Sequence, residues 1–207
     1  MRRVLPLAAG VLLVAAAAYA AIATEEKAPQ FTLTGADGKT YKLADYAGKT
    51  VVLEWFNPGC PVVVRTHTSG PLVSMGNELS GEGVIWLAIN SGAPGKQGHG
   101  VDLNKNAANN WNMSYPVLMD EEGVVGQRYR AKTTPHMYVI NPAGQLVYNG
   151  AIDNSPNGRP GGEYQNFVSM ALECVAEGRE IDFGARPYGC GVKYASGGGK
   201  GGRRRRN

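Results

Sequence analysis

Cys60 is the residue of this sequence best placed to do chemistry. It follows the apolar run at residues 51–56 and the turn Asn57-Pro58-Gly59, and Pro61 comes directly after it. Proline is favoured at the first position of a helix, so the sequence predicts that Cys60 lies at a helix N-terminus. The positive end of a helix favours a thiolate over a thiol, and the thiolate is the reactive form of cysteine. These residues therefore predict a nucleophilic thiolate at Cys60.

A second thiol is needed for turnover, because a thiolate that has attacked a disulfide or a peroxide must be released by another thiol. The chain has three cysteines, and Cys190 is the better internal candidate for the resolving role, since glycines flank it on both sides. Cys174 lies four residues after Met170 in an apolar helical stripe, which predicts a role in core packing.

Two interpretations of a Cys60–Cys190 pair are open at this point. The pair is either redox-active, or it is a permanent bridge that closes a loop of about 130 residues. Such a bridge would stabilise the fold by about 5 kcal/mol in the chain-entropy view. An extracytoplasmic compartment permits both uses of a disulfide.

Other polar residues near Cys60 give weaker signals. Arg65 is predicted to stabilise the thiolate only if its side chain folds back, and His67 lies two helical turns away, about 10 Å along the axis. Glu54, in the preceding strand, is either a proton relay or a structural carboxylate. His67, His99 and His136 lack ligand-like spacing with the cysteines, so the sequence predicts neither a metal site nor a bound cofactor.

The hydrophobic pattern predicts the elements that must position these residues. We expect strands at residues 31–33, 41–43, 50–56, 83–90, 116–120, 136–140 and 145–149, and helices at 61–79 with a break at Gly70-Pro71, 101–111, 124–129 and 164–176. The first two and the last two strands flank turn sequences and read as hairpins. The order predicts an α/β sandwich, with helices on both faces of a mixed sheet and a hairpin at the N-terminus.

The two ends of the chain are predicted to lie outside this fold. Arg2 and Arg3 precede an apolar stretch that ends in small residues, which predicts a secretory signal peptide at residues 1–23. The alternative is an uncleaved membrane anchor, since the stretch approaches the spanning length. Residues 24–194 form the predicted domain, and residues 195–207 are predicted to be a disordered Gly/Arg-rich tail.

The charge of the domain argues against nucleic-acid binding. Of 21 Lys and Arg residues, two lie in residues 1–23 and five in residues 200–206, which leaves 14 against 17 acidic residues. The folded body is therefore about −3 rather than +4. Contact of the basic tail with an anionic membrane or polymer surface is the alternative to a solvated tail. After signal cleavage we expect no stable membrane insertion.

Three segments together resemble a known family. Residues 28–31, 43–49 and 51–56 resemble the opening of the redoxin family, which unites thioredoxin-like oxidoreductases with the alkyl hydroperoxide reductase/thiol-specific antioxidant group. Thr133-Thr134-Pro135-His136 resembles its cis-proline segment. The Asn-Pro-x-Cys-Pro motif at residues 57–61 and the Gly-Cys-x-Val-Lys-Tyr element at residues 189–194 resemble one redoxin subgroup.

The resemblance implies a thioredoxin-like three-layer sandwich in which Pro135 is cis and Thr134-Pro135 lies against Cys60. The motif departs from both main branches of the family. Thioredoxins use a C-x-x-C pair, but Val63 occupies the place of the second cysteine. Peroxiredoxins usually present P-x-x-x-T-x-x-C, and Leu53 and Asn57 stand at those two positions. We expect Asn57 to donate a hydrogen bond in place of the threonine.

The sequence and the resemblance lead to one functional expectation and two alternatives. We expect an exported, periplasmic or extracytoplasmic oxidoreductase with antioxidant activity. Its Cys60 thiolate would reduce a hydroperoxide or exchange with a disulfide, and an external thiol would supply electrons. The first alternative is a non-catalytic binding or structural module with a static Cys60–Cys190 disulfide. The second is a metallochaperone, for which the sequence places no additional ligands.

Overall fold

A computed structural model describes residues 26–195 of the chain. The predicted signal peptide at residues 1–23 lies outside the described residues, and so does the predicted tail from residue 196 onward. No helix in the described part is long and apolar enough to cross a bilayer.

A mixed seven-stranded sheet forms the middle layer. Its strands, with a further short pair, are β1 (Thr32–Gly35), β2 (Thr40–Lys42), β3 (Val51–Trp55), β4 (Ile85–Asn90), β5 (Val117–Met119), β6 (Thr133–Thr134), β7 (Met137–Ile140), β8 (Leu146–Gly150) and β9 (Cys190–Gly191). The order across the sheet is β2-β1-β5-β4-β3-β7-β8, while β6 and β9 pair separately. β3 pairs parallel with β4 and antiparallel with β7, which makes it a central strand.

Central strand β3 ends where the predicted nucleophile stands. All five of its residues are buried, as expected for a strand covered on both faces. The chain leaves β3 through the turn at residues 56–59 and enters a helix at Pro61. This strand-turn-helix junction confirms the predicted position of Cys60 at a helix N-terminus.

Helices cover both faces of the sheet. They are α1 (Pro61–Thr68), α2 (Leu72–Gly81), α3 (Val101–Asn110), α4 (Val124–Arg128) and α5 (Phe167–Glu177), with a 3-10 turn at Leu43–Tyr46. The predicted break at Gly70-Pro71 separates α1 from α2, because proline lacks the N–H that would continue the helix. α5 begins later than predicted, since the Asn166 side chain caps it by accepting from the N–H groups of Val168 and Ser169.

Two apolar cores lie on opposite sides of the sheet. One contains Cys60 and Val63 with residues of α2 and α5. The other packs the N-terminal segment and α4 against the alternate side chains of β3, including Leu53 and Trp55. The three-layer mixed α/β arrangement that the resemblance implies is confirmed.

The C-terminal segment departs from the sequence prediction. The flanking glycines predict a loop at Cys190, but this residue begins β9, which pairs antiparallel with β6. A two-residue strand carries no periodic pattern, so the sequence does not indicate it. The pairing brings the end of the described chain back to the helix start at Cys60.

Candidate active site

Cys60 occupies the N-cap position of α1. Its backbone is extended, with φ −82° and ψ 121°, and Pro61 follows as the first helical residue. The carbonyl of Cys60 accepts the first helical hydrogen bond from Val64 at 2.9 Å. The thiol makes no short capping hydrogen bond with the helix, yet it lies beside the free N–H groups of the first turn.

Two amide side chains hold the turn before Cys60. The Oδ1 atom of Asn57 accepts from the Gly59 N–H at 2.8 Å, and Gln97 donates its Nε2 to the Gly59 carbonyl at 2.8 Å. Asn57 also donates its Nδ2 to the Gln97 carbonyl at 3.2 Å. Both polar groups of the Asn57 amide therefore serve the turn and the loop at residues 91–100. The expectation that Asn57 donates a hydrogen bond in place of the threonine stays a prediction.

The cis-proline segment lies against the thiol. The Thr134–Pro135 peptide bond is cis, as the resemblance implies. The Cys60 thiol donates a hydrogen bond to the Thr134 carbonyl at 3.1 Å. The backbone of the cis-proline segment thus contacts the Cys60 thiol directly.

β9 brings Cys190 to the same place. Cys190 pairs with Thr134, and Gly191 pairs with Thr133. Gly189 has φ +125°, and a Cβ atom there would collide with the Thr134 carbonyl oxygen. Only glycine allows the C-terminal segment to approach the cis-proline segment this closely.

Cys60 and Cys190 shift each other's pKa. Burial of Cys60 opposes its ionisation, but hydrogen bonds from the Cys190 thiol and from the Val63 N–H outweigh burial, so the pKa of Cys60 lies below its ordinary value. The pKa of Cys190 rises to about 11. Its own burial is the largest cause, and the hydrogen bond to Cys60 and the charge of Cys60 raise it further. The hydrogen bonds thus favour the thiolate form of Cys60, whereas burial and the neighbouring Cys60 disfavour ionisation of Cys190.

Solvent access to the Cys60 sulfur is restricted. Cys60 exposes 0% of its surface, whereas Cys190 is half-buried. Both are free thiols in the structure, as is Cys174. A reactant can therefore reach the Cys60 sulfur only when neighbouring residues move.

A buried polar cluster lies on the same face of the sheet. His67 Nε2 is 3.2 Å from Glu54 Oε1, with both side chains fully buried, although the angle is not that of a hydrogen bond. Trp86 donates its Nε1 to Glu54 Oε2 at 3.4 Å. Burial lowers the pKa of His67, but the charge of Glu54 outweighs burial and leaves that pKa above its ordinary value. Glu54 thus favours the protonated form of His67.

The remaining polar candidates point away from the thiolate. Arg65 donates its guanidinium to the Pro156 carbonyl at 2.9 Å, so it does not fold back to Cys60. His136 is buried between Asn149 and Tyr138. Burial lowers the pKa of His136 to about 4 and keeps its ring neutral. Among residues 26–195, no group of three or more His, Cys, Asp or Glu side chains is arranged to hold a metal ion.

Cys174 is separate from this site. It is buried on α5, and Arg179 lies with its Nη1 atom 3.2 Å from the sulfur. The predicted packing role of Cys174 agrees with this burial. Of the candidate residues, the structure therefore brings together Cys60, Thr134, Pro135 and Cys190.

Gln97 is the residue of this site that sequence reasoning missed. It lies 38 positions from the glycine that it holds, in a Gly-rich loop without periodicity. The available signal is that both the loop and the turn Asn57-Pro58-Gly59 contain glycine. A glycine-containing backbone permits close approach of a neighbouring segment, so the two could be expected to meet.

The fold defines a thioredoxin-like protein, with Cys60 at the N-terminus of its first α-helix beside a cis-proline segment. The chain belongs to the AhpC/TSA family, which it matches over residues 24–149. That match includes Cys60 and Pro135 and ends before Cys190.

Individual relatives agree with this class. The chain is 28% identical over 131 residues to the thiol-disulfide oxidoreductase ResA of Geobacillus thermodenitrificans (strain NG80-2), and the match covers 61% of this chain and 68% of that protein. The crystal structure of the hypothetical protein SMc02350 from Sinorhizobium meliloti 1021 matches with a TM-score of 0.73 at 23% identity, over 86% of this chain and 97% of that one. The pneumococcal exposed lipoprotein thioredoxin Etrx1 of Streptococcus pneumoniae strain TIGR4 matches with a TM-score of 0.51 at 27% identity, over 70% of this chain and 99% of that one.

Proposed function

We propose that this protein is a thiol–disulfide oxidoreductase in which Cys60 is the attacking thiolate and Cys190 the resolving thiol. The observation that carries the proposal is that both cysteines meet at Thr134, whose backbone pairs antiparallel with Cys190 and whose carbonyl accepts from the Cys60 thiol at 3.1 Å. Cys190 takes the part that a second cysteine in a C-x-x-C motif would have. Similarity to a protein named as a thiol-disulfide oxidoreductase supports the reaction type.

The pKa relationship of the two thiols orders the steps. The Cys60 thiolate attacks one sulfur of a disulfide, forms a mixed disulfide and releases a thiolate that takes a proton from water. Cys60 then no longer carries a charge, so the hydrogen bond and the repulsion that raised the pKa of Cys190 are lost. Cys190 ionises and attacks the Cys60 sulfur, which releases the second thiol and leaves a Cys60–Cys190 disulfide. An external thiol donor reduces that disulfide.

Hydroperoxide reduction is the second candidate, and membership of the AhpC/TSA family favours it. The Cys60 thiolate would break the O–O bond, forming a sulfenic acid and releasing an alcohol or water. Cys190 would then condense with the sulfenic acid to form the same disulfide and water. This chemistry would supply the expected antioxidant activity. Leu53 and Asn57 offer no hydroxyl at the positions of the usual peroxide-binding residues.

Export is part of the proposal. The basic start and apolar stretch of residues 1–23 support it, as does similarity to a thioredoxin described as an exposed lipoprotein. Fractionation of cells followed by N-terminal sequencing of the protein tests this point. A mature N-terminus near residue 24 in the extracytoplasmic fraction is expected, and an intact Met1 in the cytoplasmic fraction would contradict it.

Intact mass with differential thiol labelling tests the proposed pair. Oxidation should remove two labelling sites, at Cys60 and Cys190, and leave Cys174 labelled after unfolding. Cys190→Ser should accumulate a mixed disulfide at Cys60 with a disulfide substrate, or a sulfenic acid with hydrogen peroxide. Rate constants for the two oxidants decide which reaction dominates.

The reduction potential separates catalysis from a static bridge. A redox-active pair is expected to have a potential above about −300 mV, as labile and catalytic disulfides do. A lower potential, together with a Cys190→Ser protein that unfolds without trapping an adduct, would establish the structural staple instead.

A further inference from the structure

The edge of β6 beside Cys60 is occupied by the protein's own C-terminal segment. We call residues 186–194 the C-terminal strap. It pairs antiparallel with Thr133 and Thr134, and the Val192 N–H donates to the Lys132 carbonyl at 3.1 Å. An extended polypeptide commonly binds a neighbouring protein by adding a strand to such an edge. The strap therefore stands where an extended peptide would bind to reach Cys60.

Both ends of the strap are fastened by tyrosines. The Tyr188 hydroxyl donates to Asp153 Oδ1 at 2.5 Å, before β9. After β9, the Tyr194 hydroxyl donates to the Ala131 carbonyl at 2.9 Å. The Tyr194 side chain lies so close to Gly123 and Gly126 that a Cβ atom at either glycine would collide with it. These anchors hold the strap on β6 independently of any bond between the two sulfurs.

Small and large reactants require movements of different size in the C-terminal strap. Tyr188 and Cys190 pack against the core that contains Cys60, and Cys60 exposes 0% of its surface. A small molecule needs only a local movement around Cys190 to reach that sulfur. An extended peptide must displace the whole of β9 from β6, because both would use the same backbone groups.

We propose that the strap acts as a tethered peptide that reserves the β6 edge, so that the reduced protein acts on low-molecular-weight disulfides and excludes extended polypeptides. This inference rests on the proposed function. The small disulfide is reduced to two thiols through the mixed disulfide at Cys60, and Cys60 and Cys190 are oxidised to a disulfide. The displaced thiolates take up the proton lost by Cys190 and one from water.

Loosening the strap tests the proposal. The Tyr188→Phe/Tyr194→Phe double variant removes both hydroxyl anchors and leaves the rings, while Tyr164→Phe is the matched control. The Tyr164 hydroxyl also donates to Asp153, at 3.2 Å, but from outside the strap. Two probes are compared: glutathione disulfide, and the disulfide-linked dimer of an extended peptide of about ten residues, long enough to add a strand.

The wild-type protein should react with glutathione disulfide at least about tenfold faster than with the peptide disulfide, since closure of the strap excludes only the peptide. The double variant should raise the peptide rate constant by about five- to tenfold, as expected for one or two lost hydrogen bonds. It should change the glutathione disulfide rate constant by less than about twofold, and Tyr164→Phe should change neither.

A second variant covers the case in which the tyrosines contribute little. Gly189→Ala places a Cβ atom against the Thr134 carbonyl and should favour the peptide probe in the same way. Equal acceleration of both probes, or an unchanged peptide rate in a variant whose Val192 amide exchanges faster, would overturn the inference. Loss of the proposed function looks different: glutathione disulfide would then fail to produce a Cys60–Cys190 bond in the wild-type protein.

Discussion

Cys60 and Cys174 are the two buried cysteines of the described chain, with 0% and 2% of their surfaces exposed. Cys60 lies at the N-terminal end of α1, with the Thr134 carbonyl and the Cys190 thiol near its sulfur. Cys174 lies in the second half of α5, and its polar neighbour is the Arg179 guanidinium. The two thiols therefore share burial and differ in helix position and in partner.

The difference shows what marks a reactive cysteine in this fold. Burial alone raises the cost of a thiolate, so it would make both thiols inert. At Cys60 the free N–H groups of a helix start and a second thiol as hydrogen-bond donor reverse that cost. In the second half of a helix the dipole is unfavourable to an anion, and the arginine beside Cys174 brings no second sulfur.

Serine replacement of each cysteine gives the largest expected contrast. Cys60→Ser should lower the rate constant for glutathione disulfide by at least about a thousandfold, because the hydroxyl is a far weaker nucleophile than the thiolate. Cys174→Ser should leave that rate within about twofold and reduce stability by about 1 kcal/mol, as ordinary core substitutions do. Stopped-flow kinetics and urea unfolding measure both effects. Comparable activity loss in the two variants would remove the distinction.

Acid should weaken the structure around His136 first. The buried His136 next to Pro135 has its pKa lowered from 6.5 to about 4. The folded state therefore binds fewer protons than the unfolded state between these values. The stability from neutral His136 is complete above pH 6.5 and is lost as pH falls towards about 4, in total about 3 kcal/mol.

Hydrogen exchange near pH 4.5 measures that contrast. Amides of β7 should lose protection before those of α5. His136→Gln should flatten the pH dependence of the unfolding free energy, whereas His99→Gln, at a half-buried position, serves as the control. An unchanged slope in His136→Gln would show that another group controls acid stability.

Two glycines with positive φ offer a smaller contrast between the regions. Gly178 ends α5 with φ +65° and open space where a methyl group would stand, whereas Gly189 has φ +125° and the Thr134 carbonyl in that space. Gly178→Ala should cost about 1 kcal/mol and leave thiol chemistry intact. Gly189→Ala should detach β9 and increase the rate at which a disulfide-linked extended peptide reacts with Cys60. An unchanged rate with that peptide in Gly189→Ala would show that β9 does not control access of polypeptides.

The smallest effect concerns the hydrogen bond between the thiols. Cys190→Ala removes the donor and should raise the pKa of Cys60, whereas Cys190→Ser retains a donor and should raise it less. Thiolate absorbance as a function of pH, in a Cys174→Ala background, gives the titration of Cys60 alone. Identical titrations of the two variants would assign the pKa of Cys60 to the helix start instead.

Local sequence predicted much of this arrangement. The uninterrupted apolar run of β3 and the following Pro61 were enough to place Cys60 at a helix start, and Gly70-Pro71 marked the break between α1 and α2. These features depend on neighbouring residues, where propensity and hydrophobic pattern act directly.

The contacts that complete the site could not be predicted in the same way. Thr134 and Cys190 are 56 positions apart, and a strand of two residues leaves no pattern. The Glu54–His67 contact and the use of both Asn57 amide groups by the turn also depend on how distant segments pack. Residue type indicated which side chains could react or form hydrogen bonds. Only the tertiary structure shows which partner each of these side chains contacts.

The placement of Cys190 near the end of the described chain has a consequence for biosynthesis. Cys60 leaves the ribosome about 130 residues before Cys190. The helices and strands that precede Cys190 in the sequence can therefore form before Cys190 is available. Until the last strand arrives, the nascent protein holds an uncovered thiolate without its internal partner. A chain that stops early keeps that exposed sulfur and is open to capture by other thiols. Closure of the site thus requires that synthesis has passed Cys190.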